Sequence, residues 1–128
     1  MKPITAILLL AVVVIGVVFL LVYSVGCSPQ AQSFGAPLTE TAVTPIGNIL
    51  AHPEQFQGKA VRIEGKITDE CPAGGWFMLR DETGTVYVNL HPSEIAIPQI
   101  VGRQVAAQGL VRKEGPQVEV IGKGVTLK

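Results

Sequence analysis

The chain has 128 residues, with 10 Lys and Arg against 10 Asp and Glu, and 2 cysteines. That length leaves room for one small folded domain beside any targeting segment and excludes a large enzyme. Zero net charge removes any long-range field towards polyanions or anionic lipid, and two cysteines cannot supply the disulfide framework that staples many small exported folds.

From Ile4 to Val25 the chain is an almost unbroken apolar run without a charged side chain, and it stops at Gly26-Cys27. As a helix such a run covers roughly 30 Å, the thickness of a bilayer's hydrocarbon core, so residues 1–26 are read as a transmembrane anchor or signal. Lys2 and the α-amino group are the only charges on the short side. The positive-inside bias therefore predicts a cytoplasmic N-terminus and places everything downstream on the extracytoplasmic side of the membrane. The run is longer than the roughly 7 to 15 apolar residues of a cleaved secretory signal, which favours a retained helix over ordinary cleavage. A third outcome comes from Ser24-Val25-Gly26-Cys27-Ser28, which resembles a bacterial lipobox and makes Cys27 a candidate for lipidation. Ser24 stands where a lipobox has an aliphatic residue.

Residues 27–44 are rich in Ser, Pro, Ala, Gln and Thr and lack periodicity, the composition of a flexible spacer. From residue 45 to 128 the pattern is that of strands. Val61, Ile63, Gly65 and Ile67 alternate with Arg62, Glu64, Lys66 and Thr68, as in a strand buried on one face. Gly75 to Asp81 and Thr85 to Leu90 flank Asp81-Glu82-Thr83-Gly84, a hairpin turn in which Gly84 is expected at positive φ. Arg103 to Arg112 forms a fourth strand, and Gly115-Pro116 turns the chain into a fifth, Gln117 to Ile121, ending near Val125 to Leu127. A short helical turn is expected within Pro45 to Gln55, and a turn or apolar plug within Ser93 to Ile100. All-β, five strands with the insert between the third and fourth, is the layout of an OB-fold Greek-key barrel, a small sandwich being the alternative. Gly65 and Gly109 on inward faces suit the sharp coiling of such a barrel.

The run Ile49-Leu50-Ala51-His52-Pro53-Glu54-Gln55-Phe56-Gln57-Gly58-Lys59, followed by Val61-Arg62-Ile63-Glu64-Gly65 and Cys71-Pro72-Ala73-Gly74-Gly75-Trp76-Phe77, resembles small exported, membrane-anchored OB-fold proteins of bacteria and archaea. These are termed nucleic-acid-binding-like by fold analogy and have no assigned activity. The resemblance implies the barrel over Pro45 to Lys128 and no catalytic residue.

With Phe77, Leu79, Val86 and Val88 inward, alternation sends Trp76, Met78, Arg80, Tyr87 and Asn89 to one outward surface, where OB-folds hold ligands. Aromatic rings beside an Arg stack on bases or sugars, yet the absence of a basic stripe and an outside address disfavour nucleic acid and favour a protein partner, such as an envelope protein or transporter component. Cys71, in the loop before the second strand, is either a small structural hydrophobe or a reactive or metal-ligating thiol. His52 and His91 precede prolines in turns, too widely spaced from Cys71 for a structural zinc pattern. The anchor-plus-barrel plan is similar to the periplasmic haem chaperone of cytochrome c maturation, which implies haem or metal handling as the alternative. That family's His near a C-terminal Tyr is missing, since after Leu90 the chain offers His91 and no Tyr. No nucleophile–base pair or phosphate-cradling loop is legible, and Asp69-Glu70 and Asp81-Glu82 are expected to point into solvent, so neither catalysis nor a cofactor is expected.

Overall fold

The structure, a computed structural model, describes residues 3–23 and 32–128. The lipobox-like stretch with Cys27 lies outside the described residues. Helix α1, Pro3–Tyr23, has 21 residues, and within it Pro3–Leu21 is long and apolar enough to cross a membrane. The remaining described residues form a separate compact unit.

That unit contains six strands: β1 (Ser33–Gly35), β2 (Ala60–Glu70), β3 (Trp76–Arg80), β4 (Thr85–Asn89), β5 (Gln104–Glu114) and β6 (Gln117–Leu127). Their order is β1-β6-β4-β3-β2-β5, and pairing of β5 with β6 closes the sheet. The pairings are antiparallel except β4 with β6, which is parallel. Closure with one parallel pair, between the third and fifth barrel strands, is the OB arrangement expected from the sequence. Period-two alternation supplies the core. Ile63, Ile67, Phe77, Leu79, Val88, Val105 and Val120 are wholly buried inside the barrel, while Arg62, Glu64 and Lys66 stand outside.

Two short helices, α2 (Ile46–Ala51) and α3 (Pro53–Phe56), precede β2, and Ile46 and Ile49 enter the core as their spacing predicts. A 3-10 turn, His91–Ser93, opens the segment between β4 and β5, and buried Ile97 plugs the barrel there. Closure depends on Gly65 and Gly109. A Cβ at Gly65 would lie 2.3 Å from the Arg80 carbonyl oxygen, and one at Gly109 would lie 2.1 Å from that of Ile121.

Three expectations are corrected. Residues 32–44, read as part of a spacer, form a belt on the barrel. Gln32 O accepts the Leu127 N–H at 2.8 Å, β1 pairs with β6, and the Ala36 N–H donates to Lys123 O at 2.8 Å. The Gln108 side chain then grips the belt: its Oε1 accepts the N–H groups of Thr39 and Glu40 at 2.7 and 2.8 Å, and its Nε2 donates to Thr39 Oγ1 at 2.9 Å. The Thr44 N–H reaches Arg62 O at 2.8 Å. Most of these contacts give a backbone polar group a partner, and Phe34 packs against the barrel core, which together hold this stretch against the sheet.

The second correction is Glu70. A β-bulge between Ile67 and Asp69 shifts the register, so Glu70 turns inward, not into solvent, and is 7% exposed. Its Oε1 accepts the N–H groups of Ile100 and Val101 at 2.6 and 2.9 Å, tying the β4–β5 connection over the barrel end, and its buried Oε2 has no hydrogen-bond partner among the described residues. The third is the β3–β4 turn. Gly84 is not at positive φ, because the Asp81 carboxylate builds the turn instead.

Candidate binding face

Asp81 sets the hairpin that carries the face. Its Oδ1 accepts the N–H groups of Thr83 and Gly84 at 2.7 and 3.0 Å and the Thr83 hydroxyl at 2.6 Å, while Oδ2 accepts the Ile46 N–H at 2.9 Å. The turn is thereby fastened to α2. Burial alone would raise the Asp81 pKa, but these donors outweigh it and hold the carboxyl below its ordinary value of 3.8. A depressed folded-state pKa contributes stability that is present above the unfolded value and lost as pH falls through the folded one. Asp81→Asn should therefore lower the melting midpoint near neutral pH, and its difference from the native protein should shrink as pH drops below 3.8. A pH-independent difference would remove the ionised carboxylate from the account.

From this turn β3 and β4 run in the register Trp76↔Asn89, Met78↔Tyr87 and Arg80↔Thr85. With Phe77, Leu79, Val86 and Val88 buried on the inner side, Trp76, Met78, Arg80, Tyr87 and Asn89 share the outer one. The five residues singled out in the sequence are thus brought together. Trp76 and Tyr87 sit diagonally across the pair, ring centroids 5.5 Å apart and planes at 32°, a tilted arrangement that fixes both rings on a rigid strand surface.

The face extends beyond the hairpin. Parallel pairing sets Tyr87 beside Glu119, and antiparallel pairing sets Glu119 beside Arg112. Arg112 forms an ion pair with Glu119, whose side chain is 10% exposed, and a looser one with Glu114 at 3.9 Å. Tyr87, Asn89, Arg112, Glu114, Gln117 and Glu119 enclose a polar pocket of about 220 Å³ next to the rings. Burial first, then the charge of Glu119 and that of Cys71 when ionised, raise the Tyr87 phenol above its ordinary value of 10.0, so it stays a hydrogen-bond donor. Arg112, Gln117 and Glu119 are not among the face residues expected from the sequence; the signal for Gln117 and Glu119 is their alternation with Val118 and Val120.

Cys71 is a free, half-buried thiol whose N–H donates to Trp76 O at 3.0 Å, at the edge of this face. The exposed His91 lies over Gly75, and His52 sits between α2 and α3. Among the described residues no group of three or more His, Cys, Asp or Glu is placed to hold a metal ion.

No protein-family model matches the chain, and no curated protein is similar to it. Among solved structures it is similar to the hypothetical protein ygiW from E. coli, at 20% identity and a TM-score of 0.52, covering 68% of this chain and 90% of that one. A putative aspartyl-tRNA synthetase from Leishmania major Friedlin aligns at 16% identity and a TM-score of 0.47, over 73% of this chain and 23% of that one. The likeness to ygiW is one of fold, and with the strand order above it makes the domain a small OB-like barrel preceded by an apolar helix able to span a membrane.

Proposed function

We propose that this protein is a membrane-tethered binding module whose barrel, on the extracytoplasmic side, docks another envelope protein, such as a transporter component, through the outer face of β3 and β4 and does no chemistry. The observation that carries this reading is the Trp76–Tyr87 pair. Ordered aromatics on a sheet, flanked by Met78 and by the hydrogen-bonding groups of Asn89, Arg112 and Gln117, have the composition of an interface anchor, and Trp, Tyr and Arg dominate interface energies. Glu114 and Glu119 beside the rings oppose a phosphate backbone. The side of the membrane rests on Lys2 and the uncharged span after it.

Crosslinking in intact cells from positions flanking Trp76 tests the proposal. Trp76→Ala or Tyr87→Ala should reduce capture of the partner roughly tenfold or more while the melting midpoint stays near that of the native protein, as for an anchor of about 2 kcal/mol. Retained capture by both variants would remove the face from the function. Protease added to spheroplasts should digest the barrel; protection would reverse its sidedness. A stoichiometric metal or haem in protein purified from its own membrane, lost in Cys71→Ser, would replace this reading with a carrier function.

A further inference from the structure

A second groove, of about 1000 Å³, runs along the outer side of β2, between Val43 of the belt, the Arg80–Thr83 turn and the Val101–Gln104 segment. Its floor carries an unfavourable arrangement. Lys66 and Arg80 are direct partners in the β2–β3 register, so both cations stand side by side on the outer face, and like charges directly opposed across strands destabilise a sheet. Among the described residues neither has a carboxylate partner. Glu64 and Asp81 line the same groove, with Lys128 beside Glu64, but both acids are already engaged. Glu64 accepts from Lys128 at 2.6 Å and from Arg62 at 2.9 Å, and these two cations, Lys128 first, hold its pKa below the ordinary value against partial burial. Asp81 has both oxygens committed to the turn and to α2. Glu82 on the rim is the acid left over. Thr68 and Gln104 add hydrogen-bonding groups to the lining, and Val43 and Val101, 47% and 56% exposed, form apolar rims.

We infer that this groove is an anion site that takes a phosphate group, held between Lys66 and Arg80 with Thr68 and Gln104 completing its hydrogen bonds. The Arg fork matches the spacing of phosphate oxygens and the Lys contributes a point charge, and an anion lying between the two would relieve their mutual repulsion. Zero net charge excludes long-range steering and does not bear on a contact made at hydrogen-bond range. The site lies beyond the aromatic face and shares only Arg80 with it. The phosphate can belong to a soluble ester or to the headgroup of an anionic phospholipid.

The test uses the full chain in neutral detergent micelles, titrated with inorganic phosphate at constant ionic strength while the amide resonances of Gly65, Lys66 and Gly102 and the Arg80 Nε resonance are followed. Saturable shifts are expected with phosphate and not with chloride. Lys66→Ala should weaken binding roughly tenfold or more, as loss of one charge-assisted contact implies, and Glu82→Gln should strengthen it. Lys66→Glu should abolish binding and raise the melting midpoint by about 1 to 5 °C, because it turns the like-charge pair into an opposite one. Trp76→Ala should leave the phosphate shifts unchanged, which separates this site from partner docking. Nanodiscs of phosphatidylcholine doped with phosphatidylglycerol identify the source: the same shifts without added phosphate assign a lipid headgroup, and shifts with inorganic phosphate alone assign a soluble ester. If neither phosphate nor anionic lipid gives saturable shifts, or if Lys66→Ala leaves them intact, there is no such site.

Discussion

Ile63→Asp is expected to abolish folding of the barrel, whereas Glu64→Ala, one position along the same strand, is expected to leave it folded. Ile63 is wholly buried, its β5 partner Ala107 is buried as well, and among the described residues no cation is buried to pair with an introduced carboxylate. An unpaired charge at such a position costs several kcal/mol, against a total stability of roughly 5 to 10 kcal/mol for a domain this small. Glu64 stands outside, where its loss returns Lys128 to water and leaves Arg62 on the Glu40 carbonyl, at a cost of about 1 kcal/mol or less. Urea titration followed by circular dichroism distinguishes the two. Equal midpoints would mean that the inner and outer faces of β2 are assigned the wrong way round.

Gly109→Ala should be nearly as damaging despite adding a single methyl group. The added Cβ would lie 2.1 Å from Ile121 O, 2.8 Å from Ile121 C and 3.0 Å from Gly122 Cα. These are backbone atoms of the strand that closes the barrel, so no rotamer change relieves the contact and the β5–β6 seam must part. A loss of about 3 kcal/mol or more is expected, at the upper end of overpacking effects. Gly84→Ala is the control. There the nearest atom is the flexible Cδ1 of Leu50 at 3.0 Å, and the change should be small. A Gly109→Ala midpoint close to that of Gly84→Ala would show that the seam is looser than drawn.

Legibility in the sequence follows the range of the interaction. The inward row Val61, Ile63 and Ile67 was readable because a strand buried on one face writes a period of two into neighbouring residues, and Trp76, Met78 and Tyr87 were readable because a hairpin keeps its partners close in sequence. The belt was not. It is held by backbone groups, by Phe34 against the core and by Gln108, 69 residues from Thr39, and a largely polar segment satisfied in this way has the same composition as a solvated spacer. Arg112 and Glu119 escaped for a related reason, since they join the face only through the parallel pairing of β4 with β6. Glu70 was misplaced by one inserted residue. A bulge reverses the alternation beyond it and leaves no mark in composition.

The belt also decides where the domain yields under load. Tension entering from the N-terminal side reaches residue 32 and is borne first by the Gln32–Leu127 hydrogen bond, the Ser33–Thr126 hydroxyl contact and the Ala36–Lys123 hydrogen bond, with the Gln108 fork behind them. These are few and largely exposed, with Phe34 the belt side chain that packs against the hydrophobic core, so they should rupture at lower force than the β5–β6 seam. Peeling would lengthen the leash by about a dozen residues, roughly 40 Å of extended chain, while the barrel and its binding face stay folded. If the barrel docks a partner as proposed, such peeling would extend its reach before any strand of the barrel is strained.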